Sequence, residues 1–182
     1  FKELFFNFVD INHNIVGNPL LLAEKSDNYN LNISHKNSFF GSMLKADLNL
    51  FYNSIYNKID LYSSFLDQYS YFNIEKYTTK GSSFNTKIYL KRIELNIGSS
   101  YIGRFNKLSE SYSSPKFFFS TDYNFSALFY INKTSKLNVF YKKTGKMPSF
   151  NLIDEEVIEL SSQSYEILDL SINKTFFDGS IT

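Results

Sequence analysis

A length of 182 residues suits a single domain, or a piece of something larger. Lys+Arg 19 against Asp+Glu 18 leave a net charge of +1 with no basic block, which argues against nucleic acid as a partner. The lack of cysteine excludes disulfide staples and thiolate-held metals, and no run of about 18 apolar residues offers a transmembrane helix.

Aromatic residues make up 19% of the chain, whereas Gly 7 and Pro 3 are too few for the many tight turns of a soluble domain. That balance predicts strands throughout. Phe1 to Val9 forms a short helical turn or an irregular aromatic loop, without the basic region, apolar core and cleavage site of a signal peptide. Gly17-Asn18-Pro19 then marks a chain reversal, because glycine permits positive φ and proline pushes its predecessor extended.

Alternation begins at Asn28. Tyr29, Leu31 and Ile33 take turns with Asn30, Asn32 and Ser34. After a break over residues 36–42, Leu44, Ala46, Leu48, Leu50 and Tyr52 alternate with Lys45, Asp47, Asn49, Phe51 and Asn53. A period of two puts each set on its own face of a strand, so residues 28–57 predict a long antiparallel hairpin with one apolar face. Its second arm, about 14 residues, exceeds the usual globular strand of about 5–6 and satisfies the roughly 9–11 tilted residues of a membrane-spanning strand. An ordinary β-sandwich hairpin carries the same local pattern.

Further strands are predicted over residues 71–90 (broken near Thr79-Lys80-Gly81), 93–101, 117–131, 137–141 and 168–172. The connections alternate in length. Short ones fall near residues 36–42, 91–92 and 132–135; long polar ones fall at 58–70, 104–116 and 145–163. Outer-membrane barrels have this asymmetry, with short turns on the periplasmic side and long loops outside. Lys45, Asp47, Lys87 and Glu94 lie opposite the apolar stripe and would point into a wet lumen. A lysine facing lipid at the midplane would instead cost about 2–4 kcal/mol. Tyr52, Tyr56, Tyr101 and Phe105 suit the interfacial girdles of such a barrel. The predicted fold is all-β: an antiparallel transmembrane β-barrel segment of about seven strands.

Two stretches add a resemblance. Phe1-Lys2-Glu3-Leu4 is similar to the Phe-(Arg/Lys)-x-(Pro/Leu) box of TonB-dependent outer-membrane receptors. Gly17-Asn18-Pro19, a leucine and then Glu24-Lys25-Ser26 resemble the Gly-Asn-Pro-x-Leu-x-Pro-Glu-x-Ser box that leads into a barrel strand of that family. Ala23 stands where the family usually has proline. The resemblance makes Phe1, Gly17, Asn18, Pro19, Glu24 and Ser26 structural motif positions. It implies a barrel of about 22 strands, of which residues 1–182 would be an internal part, roughly strands 13 to 19, without the plug domain or the last strands. It further implies a bacterial outer-membrane location among lipid, and the TonB complex as a partner reached through the plug region. The ligand would be a small molecule such as a siderophore, haem or cobalamin.

Catalytic chemistry is sparse. Nothing matches a nucleophile elbow, a phosphate loop or a zinc-hydrolase helix, and His13 and His35 lie far apart without cysteine company. The expectation is therefore no enzyme, no resident cofactor and no metal site. Asp154-Glu155-Glu156 mimics paired acids, but carboxylates in a polar loop are ordinarily solvated charge. His13 is the candidate ligand-binding residue. Haem-transporting members of the family place a histidine between the two boxes, where imidazole can ligate haem iron. His13 stands there, with Phe5, Phe6 and Phe8 nearby to pack on a porphyrin, and a solvated loop residue is its plain alternative. The whole chain is thus expected to serve uptake, with a soluble or surface-exposed all-β adhesin or binding module as the competing reading.

Overall fold

The structure, a computed structural model, describes residues 2–10, 14–64, 68–107, 117–153 and 156–176. A one-turn helix α1 (Lys2–Phe5) precedes eleven strands. These are β1 (Asn7–Val9), β2 (Asn14–Val16), β3 (Lys25–Phe39), β4 (Ser42–Ser64), β5 (Gln68–Tyr89), β6 (Ile93–Asn106), β7 (Phe118–Tyr130), β8 (Ser135–Thr144), β9 (Met147–Ile153), β10 (Glu156–Ser162) and β11 (Tyr165–Lys174). The long strands form one antiparallel run in the order β3-β4-β5-β6-β7-β8-β11. The run is not closed: among the described residues β3 pairs only with β4 and β11 only with β8.

Several boundaries differ from the sequence expectation, each for a physical reason. The break over residues 36–42 shrinks to Phe40-Gly41, with Phe39 opposite Ser42. Both turn residues have positive φ, 46° and 76°. Such a turn matches the right-handed twist of the strands it joins. The expected loop over 58–70 is paired strand up to Ser64 and again from Gln68, so β4 and β5 form a single tall hairpin. Tyr62 and Phe72 meet edge-on across it at 5.6 Å. The break near Thr79-Lys80-Gly81 does not occur. Gly81 fits there because any Cβ would fall 2.2 Å from the Tyr101 carbonyl oxygen, with the Phe51 ring filling the space above. The expected loop over 145–163 contains the β9–β10 hairpin. Residues 108–116, most of another predicted loop, lie outside the described residues.

The register sorts side chains onto two faces. One carries Tyr29, Leu31 and Ile33 opposite Tyr52, Leu50 and Leu48. It continues through Phe84 and Ile88, Leu95, Ile97 and Tyr101, Phe125 and Phe129, Leu137, Val139 and Tyr141, and ends on Leu168, Leu170 and Ile172. Among the described residues no second layer covers it. Phe84 and Ile97, in the middle of the sheet, are each 45% exposed, and among the described residues the only buried apolar ones are Ile74, Phe105 and Ala127. A water-soluble sheet of this size would bury such a face. The other face presents Asn49, Asn85, Asn96, Ser126 and Asn138, with Lys45, Asp47, Lys87 and Glu94 where the alternation expects them.

Tyr52 and Tyr101 lie on the apolar face toward its long-connection end, as a girdle requires. Phe105 does not serve there: it is 4% exposed and packs on Phe117 at 5.7 Å. His35 sits opposite Ala46 near the short-turn end and is exposed.

Candidate functional site

The short turns at 40–41, 91–92 and 131–134 share one end of the sheet. At the opposite end the β4–β5 hairpin outruns its neighbours. Pairing with β3 stops at Tyr56 and pairing with β6 stops at Tyr77. At that level the ladder is interrupted at Asn57, whose φ is 53°. Asparagine tolerates this left-handed region better than most residues because its short side chain bonds locally.

Beyond Asn57 the hairpin would present two bare edges, and each receives a cover. β2 lies parallel on β5 with Ile15 against Tyr69 and Val16 against Ser70. β9 meets β4 in parallel at Ser63 and Ile153. To do so the β9–β10 hairpin leaves β8 at Gly145, whose N–H donates to Asp122 Oδ1 at 2.9 Å, and crosses β5 to β7 to reach β4. Covered edges prevent pairing with foreign strands.

The motif residues hold this end together. Gly17 lies so close to α1 that a Cβ would stand 2.8 Å from the Leu4 carbonyl group and the Phe6 nitrogen. Its N–H donates to the Phe6 carbonyl at 2.6 Å, and the Asn18 N–H donates to the Glu3 carbonyl at 2.9 Å. Asn18 turns the chain by accepting from the Leu20 N–H, and its amide donates to the Tyr71 carbonyl at 2.9 Å. Pro19 is exposed at the turn. The Glu24 carboxylate accepts from the Ile59 N–H. Ser26 lies in β3 opposite Ile55 and accepts weakly from Asn28 at 3.4 Å. Phe1 lies outside the described residues.

Two further residues complete the clamp. Asn73 donates to the carbonyls of Leu22 (3.0 Å) and Asn57 (2.7 Å) and accepts from the Leu22 N–H at 2.7 Å. Asn57 reaches the Ala23 carbonyl at 3.5 Å. No sequence signal marks either of them, since asparagine recurs throughout the chain.

His13 also lies outside the described residues. Its flanks are described: β1 and β2 pair antiparallel, with Val9 opposite Asn14. Of the aromatic residues near it in sequence, Phe6 and Phe8 stack on one another at 5.9 Å, while Phe5 is 78% exposed. Glu156 is exposed in β10, and Asp154 and Glu155 lie outside the described residues. Among the described residues no cluster of His, Cys, Asp or Glu could hold a metal ion. Among the described residues no helix is long and apolar enough to cross a membrane, which says nothing of strands.

An antiparallel sheet with an uncovered apolar face, a polar face opposite and unequal ends defines a transmembrane β-barrel class of protein. The family model described as "TonB dependent receptor-like, beta-barrel" matches residues 1–180, and the chain belongs to that family. The family is one of transporters rather than enzymes, typically of the outer membrane. No curated protein and no solved structure matches the chain.

Proposed function

We propose that residues 1–182 form part of the barrel of an outer-membrane active-transport receptor that takes up an iron complex (siderophore or haem) or cobalamin, energised by TonB. The observation behind this reading is the uncovered apolar face on seven adjoining strands, backed by an amide-rich face. Such a face suits lipid, a solvent in which each backbone group must find its partner within a ladder. The ligand meets the end bearing the tall hairpin, where exposed Phe5, Leu20 and Leu22 supply apolar contact and asparagine amides supply orientation. TonB acts through a plug region outside these residues. In a haem receptor His13 would be the iron ligand.

Uptake of labelled haem, a ferric siderophore and cobalamin by cells with and without the gene tests the proposal. One of the three should depend on the gene and on TonB, and indifference of all three would refute it. If haem is the ligand, His13→Ala in the full-length protein should abolish the Soret shift on binding.

A further inference from the structure

We infer that Lys76 and Lys80, with the Ser54 and Thr78 hydroxyls between them, form a site on the outer wall of the barrel that holds the phosphate headgroup of an outer-leaflet lipid. The inference rests on the barrel reading, which turns the apolar face toward lipid. The register places both lysines on that face. Lys76 stands opposite Tyr56, and Lys80 opposite Tyr52 on one side and Gly103 on the other. A cation facing lipid is costly at the midplane and well tolerated near the interface, so its height decides what it can meet. On β4 the outward positions from the short turn up are Leu44, Ala46, Leu48 and Leu50, and then Tyr52 beside Lys80. About ten residues of a strand tilted by about 35–45° rise about 25 Å, the height of the apolar band. Lys80 thus stands where hydrocarbon gives way to headgroups at the long-connection end, and Lys76 lies above it on the same strand.

The groups at this level are donors. Ser54 stands directly opposite Thr78, between the two lysine rows. They are 3% and 2% exposed, and neither hydroxyl oxygen has a hydrogen-bond partner among the described residues. Buried polar groups are ordinarily bonded, so two orphaned hydroxyls side by side call for an acceptor from outside. Each ammonium lies over a ring. Lys76 Nζ is 5.4 Å from the Tyr56 centroid, and Lys80 Nζ is 4.0 Å from that of Phe117 and 5.9 Å from that of Phe119. A ring engages an ammonium from one side, and three N–H donors leave some for a ligand. The shelf of rings is itself fixed: Phe119 lies over Gly103, where a Cβ would meet it at 2.5 Å, and stacks on Tyr101 at 4.8 Å.

On the same face β3 contributes Lys25 opposite Tyr56 and Asp27 opposite Ser54, so three cations meet one carboxylate. Asp60, higher on β4, is engaged by Lys58. Ammonium and hydroxyl donors with surplus positive charge suit a phosphate group. The leucines below them suit the acyl chains that a free phosphate lacks.

Native mass spectrometry of the full-length protein in neutral detergent, titrated with diphosphoryl lipid A, tests the site. The same lipid stripped of phosphate, and inorganic pyrophosphate, are titrated beside it. The inference expects the native protein to bind the phosphorylated lipid, K76Q/K80Q to bind it roughly tenfold more weakly or worse, and K76R/K80R to retain it. K45Q/K87Q, which removes equal charge from the inner face, should leave binding unchanged. S54A/T78V should weaken binding severalfold without lowering the melting temperature, since the hydroxyls it removes bond nothing in the protein. Equal binding by the native protein and K76Q/K80Q, an equal loss in K45Q/K87Q, or equal affinity for the stripped lipid or for pyrophosphate overturns the inference. A lower melting temperature for S54A/T78V would mean that the protein already bonds the hydroxyls, and also overturns it. Gel mobility before and after boiling keeps the two readings apart. A heat-modifiable barrel that fails the titration sinks the lipid site alone, whereas a protein with no heat-modifiable form sinks the barrel reading.

Discussion

Asn73 ties three chain segments through one amide, and its loss should be felt locally. Asn73→Ala removes three hydrogen bonds, each of net value about 0.5–1.5 kcal/mol: two between the motif segment and the tall hairpin, and one within the hairpin to the Asn57 carbonyl. Protease cleavage within residues 17–24 is expected to accelerate about tenfold or more; an unchanged rate would show that the clamp lies elsewhere. Asn57 makes a different demand, on the backbone. At its φ of 53°, valine should cost about 1–2 kcal/mol while glycine is nearly neutral, as urea unfolding would record. Gly17, Asn18 and Glu24 stood out in the sequence as a box and prove to be joints between α1, the motif segment and the tall hairpin. Asn57 and Asn73 did not stand out, because a joint made by register and turn geometry leaves no mark on residue type.

Within β4 the alternation of apolar and polar residues was plain from Leu44 to Asn53, and the register keeps it. The strand's true length was hidden. Residues 58–70 are polar and tyrosine-rich in sequence, so the contrast that marks a half-buried strand fades there. The turn at Phe40-Gly41 was hidden too, since phenylalanine at positive φ follows no turn preference. The two faces of β4 should answer differently to charge. Leu48→Arg, on the apolar face, is expected to destabilise the inserted barrel by about 2–4 kcal/mol, whereas Asn49→Arg, one residue on, should stay within about 1 kcal/mol. Unfolding in lipid vesicles compares the two, and equal penalties would contradict the assignment of faces.

The alternation of short and long connections was legible and specified which end of the sheet is elaborated. The crossing of β9–β10 over to β4 was not, because it rests on a single backbone pair between residues far apart in sequence. Replacing residues 147–162 by a short Gly-Ser linker should leave membrane insertion intact and speed proteolysis at the tip of the β4–β5 hairpin. Loss of insertion would instead make that hairpin part of the barrel's own stability. The central claim concerns the apolar face as a whole. The absence of cysteine from these residues makes single-cysteine scanning over positions 44–53 direct. With the full-length protein in membranes, labels at 44, 46, 48, 50 and 52 should report lipid and those at 45, 47, 49, 51 and 53 should report water. A scan without that period of two, or one in which the even positions prove dry and packed against protein, would contradict the account.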